Sequence, residues 1–373
     1  MYRNMSGLQM QNKQGIILKD YKEIKEILAQ NGVQRPFLCC GKSFEKTELF
    51  RYLKKFNIVV FDKIRPNPRF EDMVLGAELF QSEGCDFMIA AGGGSPMDTA
   101  KMIRLMTTNP LDTCLTEPME DNDIKSLFIP TTAGTGAEAT KTSVFYINEK
   151  DKMSIGNLLF LPDYVILDES LLTTLPEYQR KCTCLDALCH AIESYWNVNS
   201  TDESKVYAEK AIRLFFENKD GYTSNTPEGN RGMLMASYYG GKAINLTGTT
   251  AAHAMCYNIT MNCGIAHGYS VAVDLAEIWK FMLSHNENVN DKRGRDYVLS
   301  VFDEVAKIMG GKTAEDGQRI FASLLTEFNL EYPKIDEGRI DEFVAKVDVS
   351  RLGKNPTKLS SDDVRTIYKS ILL

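Results

Sequence analysis

Apolar and polar positions along the chain follow two rhythms, and the change between them falls near Pro176. Before it, short apolar runs alternate with helical patterns. Residues 15–18, 36–40, 57–61, 87–91, 127–129 and 164–168 read as strands, several of them rich in β-branched or aromatic residues and bounded by Gly, Pro or Asn. Apolar residues at helical spacing over 21–30, around Leu49 and Leu53, and over 70–82 predict intervening helices. Val144–Ile147 and Met153–Ile155 flank the polar stretch Asn148-Glu149-Lys150-Asp151, a hairpin pattern. Strands alternating with helices predict a mainly parallel sheet.

Beyond Leu175-Pro176 strand-like runs nearly vanish, and long helical patterns occupy 184–196, 204–216, 232–244, 297–309 and 313–328. The expected architecture is an α/β domain over residues 1–172 followed by an all-helical domain over 173–373, a length that gives each its own core. No repeat of solenoid period is present.

Composition narrows the partners. A hydrophobic content of 43% and a charged content of 25% are ordinary for a globular protein, and the net charge of −7 gives no support for a nucleic-acid surface. Residues 1–7 are polar and have no apolar signal core, and no apolar run reaches membrane-spanning length. Nine cysteines, an odd number, argue against a disulfide framework and for a reducing cytoplasm.

Two stretches carry candidate chemistry. The run 87–91 enters Gly92-Gly93-Gly94-Ser95-Pro96 and then a helix. Glycines between a buried strand and a helix N-terminus let a phosphate approach free N–H groups and the positive dipole end. The pattern is not Gly-x-Gly-x-x-Gly, so it supports a phosphate or pyrophosphate site without identifying the nucleotide; a tight structural turn is the plain alternative.

The second stretch holds three of the four histidines. Asp186 and His190, four residues apart, share one face of a helix. His253 and His267 would complete a set of one carboxylate and three imidazoles suited to iron(II) or zinc. A lone His253 is more often a satisfied core residue, but Asp186 lies in a mostly apolar segment where it needs compensation, from a metal or from Arg180 or Lys181. Five cysteines lie nearby, Cys182, Cys184, Cys189, Cys256 and Cys263, but their spacing is not that of a zinc site, and they read as small buried residues. A mixed site with an open position suits Lewis-acid work on a carbonyl, and beside a dinucleotide the natural reaction is hydride transfer.

These motifs resemble the iron-containing (group III) alcohol dehydrogenases over nearly the whole chain. They are Gly92 through Lys101, Pro130 through Glu138, Asp186 with His190, and His253 followed fourteen residues later by His267-Gly268, with Pro66-Asn67-Pro68 and Asn355-Pro356 beside them. The resemblance implies a dinucleotide-binding α/β domain, a helical domain and an active site in the cleft: the dehydroquinate synthase-like fold. It implies metal ligation by Asp186, His190, His253 and His267, with Fe2+ or Zn2+ as the metal. It implies pyrophosphate binding at Gly93, Gly94 and Ser95, and further cofactor contacts from Gly41, Asn67, Pro96, Asp98, Thr131, Thr132 and Lys152. A homodimer is expected by the same likeness.

Two departures matter. Gly41-Lys42-Ser43 stands where many members have an acidic residue that holds the adenosine ribose, so NADPH should be tolerated as well as NADH. Tyr257 stands where many members have a relay histidine, and it either donates a hydrogen bond or lines the pocket. The finer likeness, in Ser194-Tyr195-Trp196, residues 241–245 and residues 249–254, is to phosphonoacetaldehyde reductases. Lys242 would then pair with a phosphonate dianion, against the alternative of a solvated surface lysine. Other readings are a dehydrogenase of simple alcohols, a sugar-phosphate cyclase on the same architecture, and a structural metal in a binding protein.

Overall fold

A computed structural model describes residues 15–110, 114–115, 119–148 and 151–373. The polar N-terminal stretch and two residues of the hairpin turn, Glu149 and Lys150, lie outside them. The chain divides into two compact units, residues 1–132 with 136–173 and residues 133–135 with 174–373.

The first unit is built on a six-stranded sheet. Its strands are β1 (Ile16–Leu18), β2 (Pro36–Cys40), β3 (Val59–Phe61), β4 (Phe87–Gly92), β5 (Lys125–Pro130) and, after the hairpin, β8 (Tyr164–Ile166). They run in the order β1-β8-β5-β4-β2-β3, and every pairing is parallel. The central strands read as unbroken apolar runs because both faces are covered. Phe37, Cys39, Met88 and Ala90 pack on one face with helices α3 (Phe70–Ser82) and α4 (Gly94–Met106). Leu38, Cys40, Ile89 and Ala91 face the other way, toward α1 (Ile24–Gln30) and α2 (Glu48–Leu53), as a period of two requires. From β2 the chain moves outward to β3, returns to β4, and then proceeds the other way to β5 and β8. The direction reverses between β2 and β4, and a ligand crevice is expected outside the carboxyl ends of strands at such a point. The hairpin is present as an antiparallel pair, β6 (Thr142–Ile147) with β7 (Asp151–Gly156).

The second unit is helical. Its longer helices are α5 (Glu177–Trp196), α6 (Asp202–Thr223), α7 (Pro227–Thr247), α8 (Ala251–Cys263), α9 (His267–Ser284), α10 (Arg295–Ile308) and α11 (Ala314–Glu327). They are followed by α12 (Ile340–Ala345), α13 (Val349–Leu352) and α14 (Ser361–Leu372). Helix α5 is the axis of this unit: all its residues from Cys184 to Trp196 are buried, against α6, α7 and α9. Hydrophobic spacing did not predict α8 or α9. Residues 251–256 and 268–276 are continuously buried, so over these stretches no solvent-facing stripe marks a helical period. Among the described residues no helix is long and apolar enough to cross a membrane.

Candidate metal centre

Asp186 and His190 occupy successive turns of α5, with Asp186 Oδ1 4.0 Å from His190 Nε2. Helix α8 brings His253 Nε2 to 3.4 Å from the same oxygen, and His267 at the start of α9 brings its Nε2 to 3.9 Å. Donors about 2.1 Å from one ion at tetrahedral angles stand roughly 3.4 Å apart, and Asp186, His253 and His267 offer atoms all within 4.8 Å of one another, a set that fits a divalent cation, with His190 reaching the same carboxylate oxygen beside it. Asp186 Oδ1 and His253 Nε2 are buried and have no hydrogen-bond partner, the condition of atoms that await a ligand. The residues offered as alternative compensation for Asp186 are used elsewhere. Arg180 is bound to Leu175 O, Tyr222 O and the side chains of Asn225 and Asn230, and Lys181 pairs with Glu177 at 2.6 Å. Burial raises the Asp186 carboxyl, but the three imidazoles outweigh it and hold it below the usual carboxylate range. Burial pushes His190 down to about 4, toward the neutral form a metal needs.

Two buried residues hold this geometry. Gly268 in the first turn of α9 allows that helix to lie directly on α5: a Cβ there would meet Cys182 O at 2.1 Å and Asp186 Cβ at 2.8 Å. Glu193, one turn past His190, is fully buried, and its Oε2 is hydrogen-bonded to His253 Nδ1. That bond assigns the Nδ1 proton, and so leaves the Nε2 lone pair facing Asp186. The other oxygen accepts from Thr250 N at 3.0 Å, Thr250 Oγ1 at 2.7 Å and Ala252 N at 3.1 Å. Helix α8 has no side-chain cap of its own, so a carboxylate from α5 both caps it and aims its histidine. Sequence reasoning missed Glu193, whose only signal was its place one turn beyond His190 on the same face.

The cluster is open on one side. Side-chain exposure is 5% for Asp186, 8% for His190 and 2% for His253, but 36% for His267. On that side Tyr257 stacks on the His267 ring, with centroids 5.3 Å apart and planes 21° apart. Its hydroxyl accepts a 2.8 Å hydrogen bond from Arg351 on α13.

In the first unit, Gly41, Gly93, Gly94, Ser95, Thr131 and Thr132 follow the carboxyl ends of β2, β4 and β5. Gly92 closes β4 with φ 152°, a conformation that L side chains rarely adopt, and a Cβ there would lie 2.5 Å from Pro96. Gly93 is the N-cap of α4, which begins with Gly94, Ser95 and Pro96, and Thr132 lies directly beside Gly93. Thr131 N bonds Gly92 O at 2.9 Å, which joins the loops after β4 and β5, and Gly41 follows β2 across the switch point. Asn67 is left-handed, with φ 59°. Asp98 is engaged inside the unit: it accepts from Val144 N at 3.1 Å and pairs with buried Lys101. Lys152 lies on β7, half-buried.

Two family descriptions cover most of the chain: Iron-containing alcohol dehydrogenase over residues 17–169, and Fe-containing alcohol dehydrogenase family, C-terminal, over residues 181–372. The chain belongs to the iron-containing alcohol dehydrogenase family. It is 28% identical over 297 residues to phosphonoacetaldehyde reductase of Streptomyces viridochromogenes, covering 75% of this chain and 74% of that one. It is 28% identical over 342 residues to NADPH-dependent butanol dehydrogenase of Clostridium saccharobutylicum, covering 86% of each. The crystal structure of sulfoacetaldehyde reductase from Bifidobacterium kashiwanohense in complex with NAD+ matches 96% of each chain, at a TM-score of 0.86 and 25% identity.

An iron-containing alcohol dehydrogenase is an oxidoreductase that uses a divalent metal and NAD(P) on small alcohols and aldehydes, and this chain has that family's fold. The structure brings Asp186, His190, His253, His267 and Tyr257 together. It does not bring Lys242 to them. On α7, a Cβ on Gly240 would lie 3.6 Å from His190 Cβ, and two residues on is about 200° round the helix. The Lys242 ammonium stands instead over Tyr207 of α6, 4.0 Å from the ring centroid. The carboxyl ends of β2 and β3 also carry a carboxylate whose neighbour the sequence alone does not reveal. The register Cys39↔Phe61 sets Asp62 level with Cys40, and burial together with Glu45 and Asp62 pushes that thiol up to about 12.

Proposed function

We propose that this chain reduces a small aldehyde to a primary alcohol with NADH or NADPH, that Asp186, His190, His253 and His267 hold its divalent metal, and that phosphonoacetaldehyde is a substrate, giving 2-hydroxyethylphosphonate. The observation that carries the reading is the convergence of three imidazole Nε2 atoms on the unpartnered Oδ1 of Asp186, with one side of the cluster open at His267. The phosphonoacetaldehyde assignment draws on the likeness to the Streptomyces enzyme.

A metal held there supplies a Lewis acid for the carbonyl oxygen and the developing alkoxide. The chain's own residues prepare for this. Glu193 fixes the His253 tautomer, burial keeps His190 neutral, and Tyr257 lines the open side where substrate enters. Gly93, Gly94 and Ser95 at the start of α4 are proposed to take the cofactor pyrophosphate, with Gly41, Asn67, Pro96, Thr131, Thr132 and Lys152 around the rest of it. Asp98 is proposed to act at one remove, by tying the hairpin to α4.

The test is a panel of phosphonoacetaldehyde, butanal and propanal, run with NADH and NADPH side by side on protein whose Fe(II) or Zn(II) content has been measured. Stoichiometric cofactor oxidation is expected with at least one aldehyde. Metal-loaded protein that oxidises neither cofactor with any of them would sink the reading. Turnover of a sugar phosphate without net cofactor consumption would point to cyclase chemistry instead.

A further inference from the structure

The open side of the metal cluster carries a feature that a neutral substrate does not require. Arg351 lies against it with a side chain only 13% exposed, and burying a guanidinium is costly unless its charge is used. Its Nη1 donates to Tyr257 Oη at 2.8 Å and to Thr249 Oγ1 at 3.2 Å. Its Nε faces Asp348 at 3.1 Å, but that carboxylate is 39% exposed and therefore solvent-screened. Among the described residues Nη2 has no hydrogen-bond partner. The Thr249 hydroxyl, having accepted from Arg351, keeps its own proton to donate. A second cation adjoins: the Lys354 ammonium lies 2.7 Å from where a Cβ on Gly248 would stand, one residue before Thr249. Two basic side chains from residues 351–354 thus flank residues 248–249, and through Tyr257 the first of them reaches the ring stacked on His267.

We propose that Arg351, with Thr249 and Tyr257, is the specificity-determining group of this site and recognises a compact oxyanion, such as a phosphonate, borne by the aldehyde substrate. This rests on the reductase reading and deepens it. It also gives the phosphonate a partner on the side of the cluster that Lys242 does not reach. A guanidinium fork suits a tetrahedral oxyanion because it presents paired donors in one plane.

The experiment compares the wild-type enzyme with Arg351→Gln and Arg351→Lys, each checked for metal content and melting temperature. Phosphonoacetaldehyde and propanal are the substrates. The inert dianion phosphonoacetate is titrated by calorimetry into metal-loaded and metal-free protein. Arg351→Gln should lose roughly 10- to 100-fold in kcat/KM for phosphonoacetaldehyde, mainly through KM, the size of one charge-assisted hydrogen bond. Propanal should lose severalfold less kcat/KM than phosphonoacetaldehyde does, and phosphonoacetate binding should disappear. Arg351→Lys, which keeps the charge and loses the fork, should fall between, and it decides the matter if the glutamine variant does not fold. Equal losses on both aldehydes would mean that Arg351 only ties α13 to α8, and would overturn the proposal. So would phosphonoacetate affinity unchanged in either variant. If the wild type reduces no aldehyde, the reductase reading fails, and calorimetry still decides Arg351: binding lost in the variants supports it, and no binding to the wild type overturns it.

Discussion

Gly268 and Asp186 meet across α9 and α5 with no space for a methyl group: a Cβ on Gly268 would lie 2.8 Å from Asp186 Cβ and 2.1 Å from Cys182 O. The neighbour of one proposed ligand therefore sets the distance to another. Gly268→Ala should force the start of α9 away from α5, carrying His267 with it. Overpacking of this kind costs about 1–3 kcal/mol, so metal affinity should fall by roughly tenfold or more while helical content is kept. Competition with a calibrated chelator measures the first and far-ultraviolet circular dichroism the second. Unchanged affinity would show that α9 adjusts without moving His267.

Glu193 acts on His253 through one oxygen and on the start of α8 through the other. Glu193→Gln keeps one acceptor oxygen, replaces the other with an NH2 donor, and removes the charge that makes the imidazole a better donor to metal. Metal affinity should drop about tenfold, the lower end of the range for such outer partners. Glu193→Ala should drop it further and also lower the melting temperature, because the α8 N–H groups lose their cap. A glutamine variant with wild-type affinity would reduce Glu193 to a helix cap.

Glu138, in the loop after β5, is fully buried, its Oε1 is without a partner, and burial raises its carboxyl from the ordinary 4.5 to about 7 despite nearby Lys101. The sign follows from the direction. The folded protein holds this proton more tightly than the unfolded chain, so the stabilising difference is complete below pH 4.5 and is lost as pH rises through about 7. At 1.36 kcal/mol per unit the loss is about 3 kcal/mol. Melting temperature followed from pH 5 to pH 8 should decline, and Glu138→Gln should remove much of that decline and melt higher at pH 8. Superimposed profiles for the two proteins would refute the assignment.

Much of the first unit was legible because its signals are local. Strand β4, the glycines that end it and the helix after them are consecutive in the chain, so the run 87–96 announces a buried strand that opens onto a helix N-terminus. Asp186 and His190 were legible as a pair for the same reason, since a four-residue step has one meaning on a helix. The helices that carry His253 and His267 were not, because continuous burial over 251–256 and 268–276 erases the period that reveals a helix. Asp62 was overlooked beside Cys40 because only the β2–β3 register places them level. Lys242 was misjudged because its neighbours in sequence say nothing about which face of α7 meets α5.

The sequence by itself determined the family, the alternation that makes a parallel sheet, the glycine-rich turn from β4 into α4 and the donor types that suit a divalent metal. Tertiary structure alone decided what surrounds those donors. Glu193 lies 60 residues from the histidine it orients, and Arg351 lies 94 residues from the tyrosine it binds. Secondary structure is dictated by the spacing of neighbouring residues, but a bond between distant side chains exists only once packing has fixed how close two helices come. Here that closeness is set where Gly268 lies on Asp186.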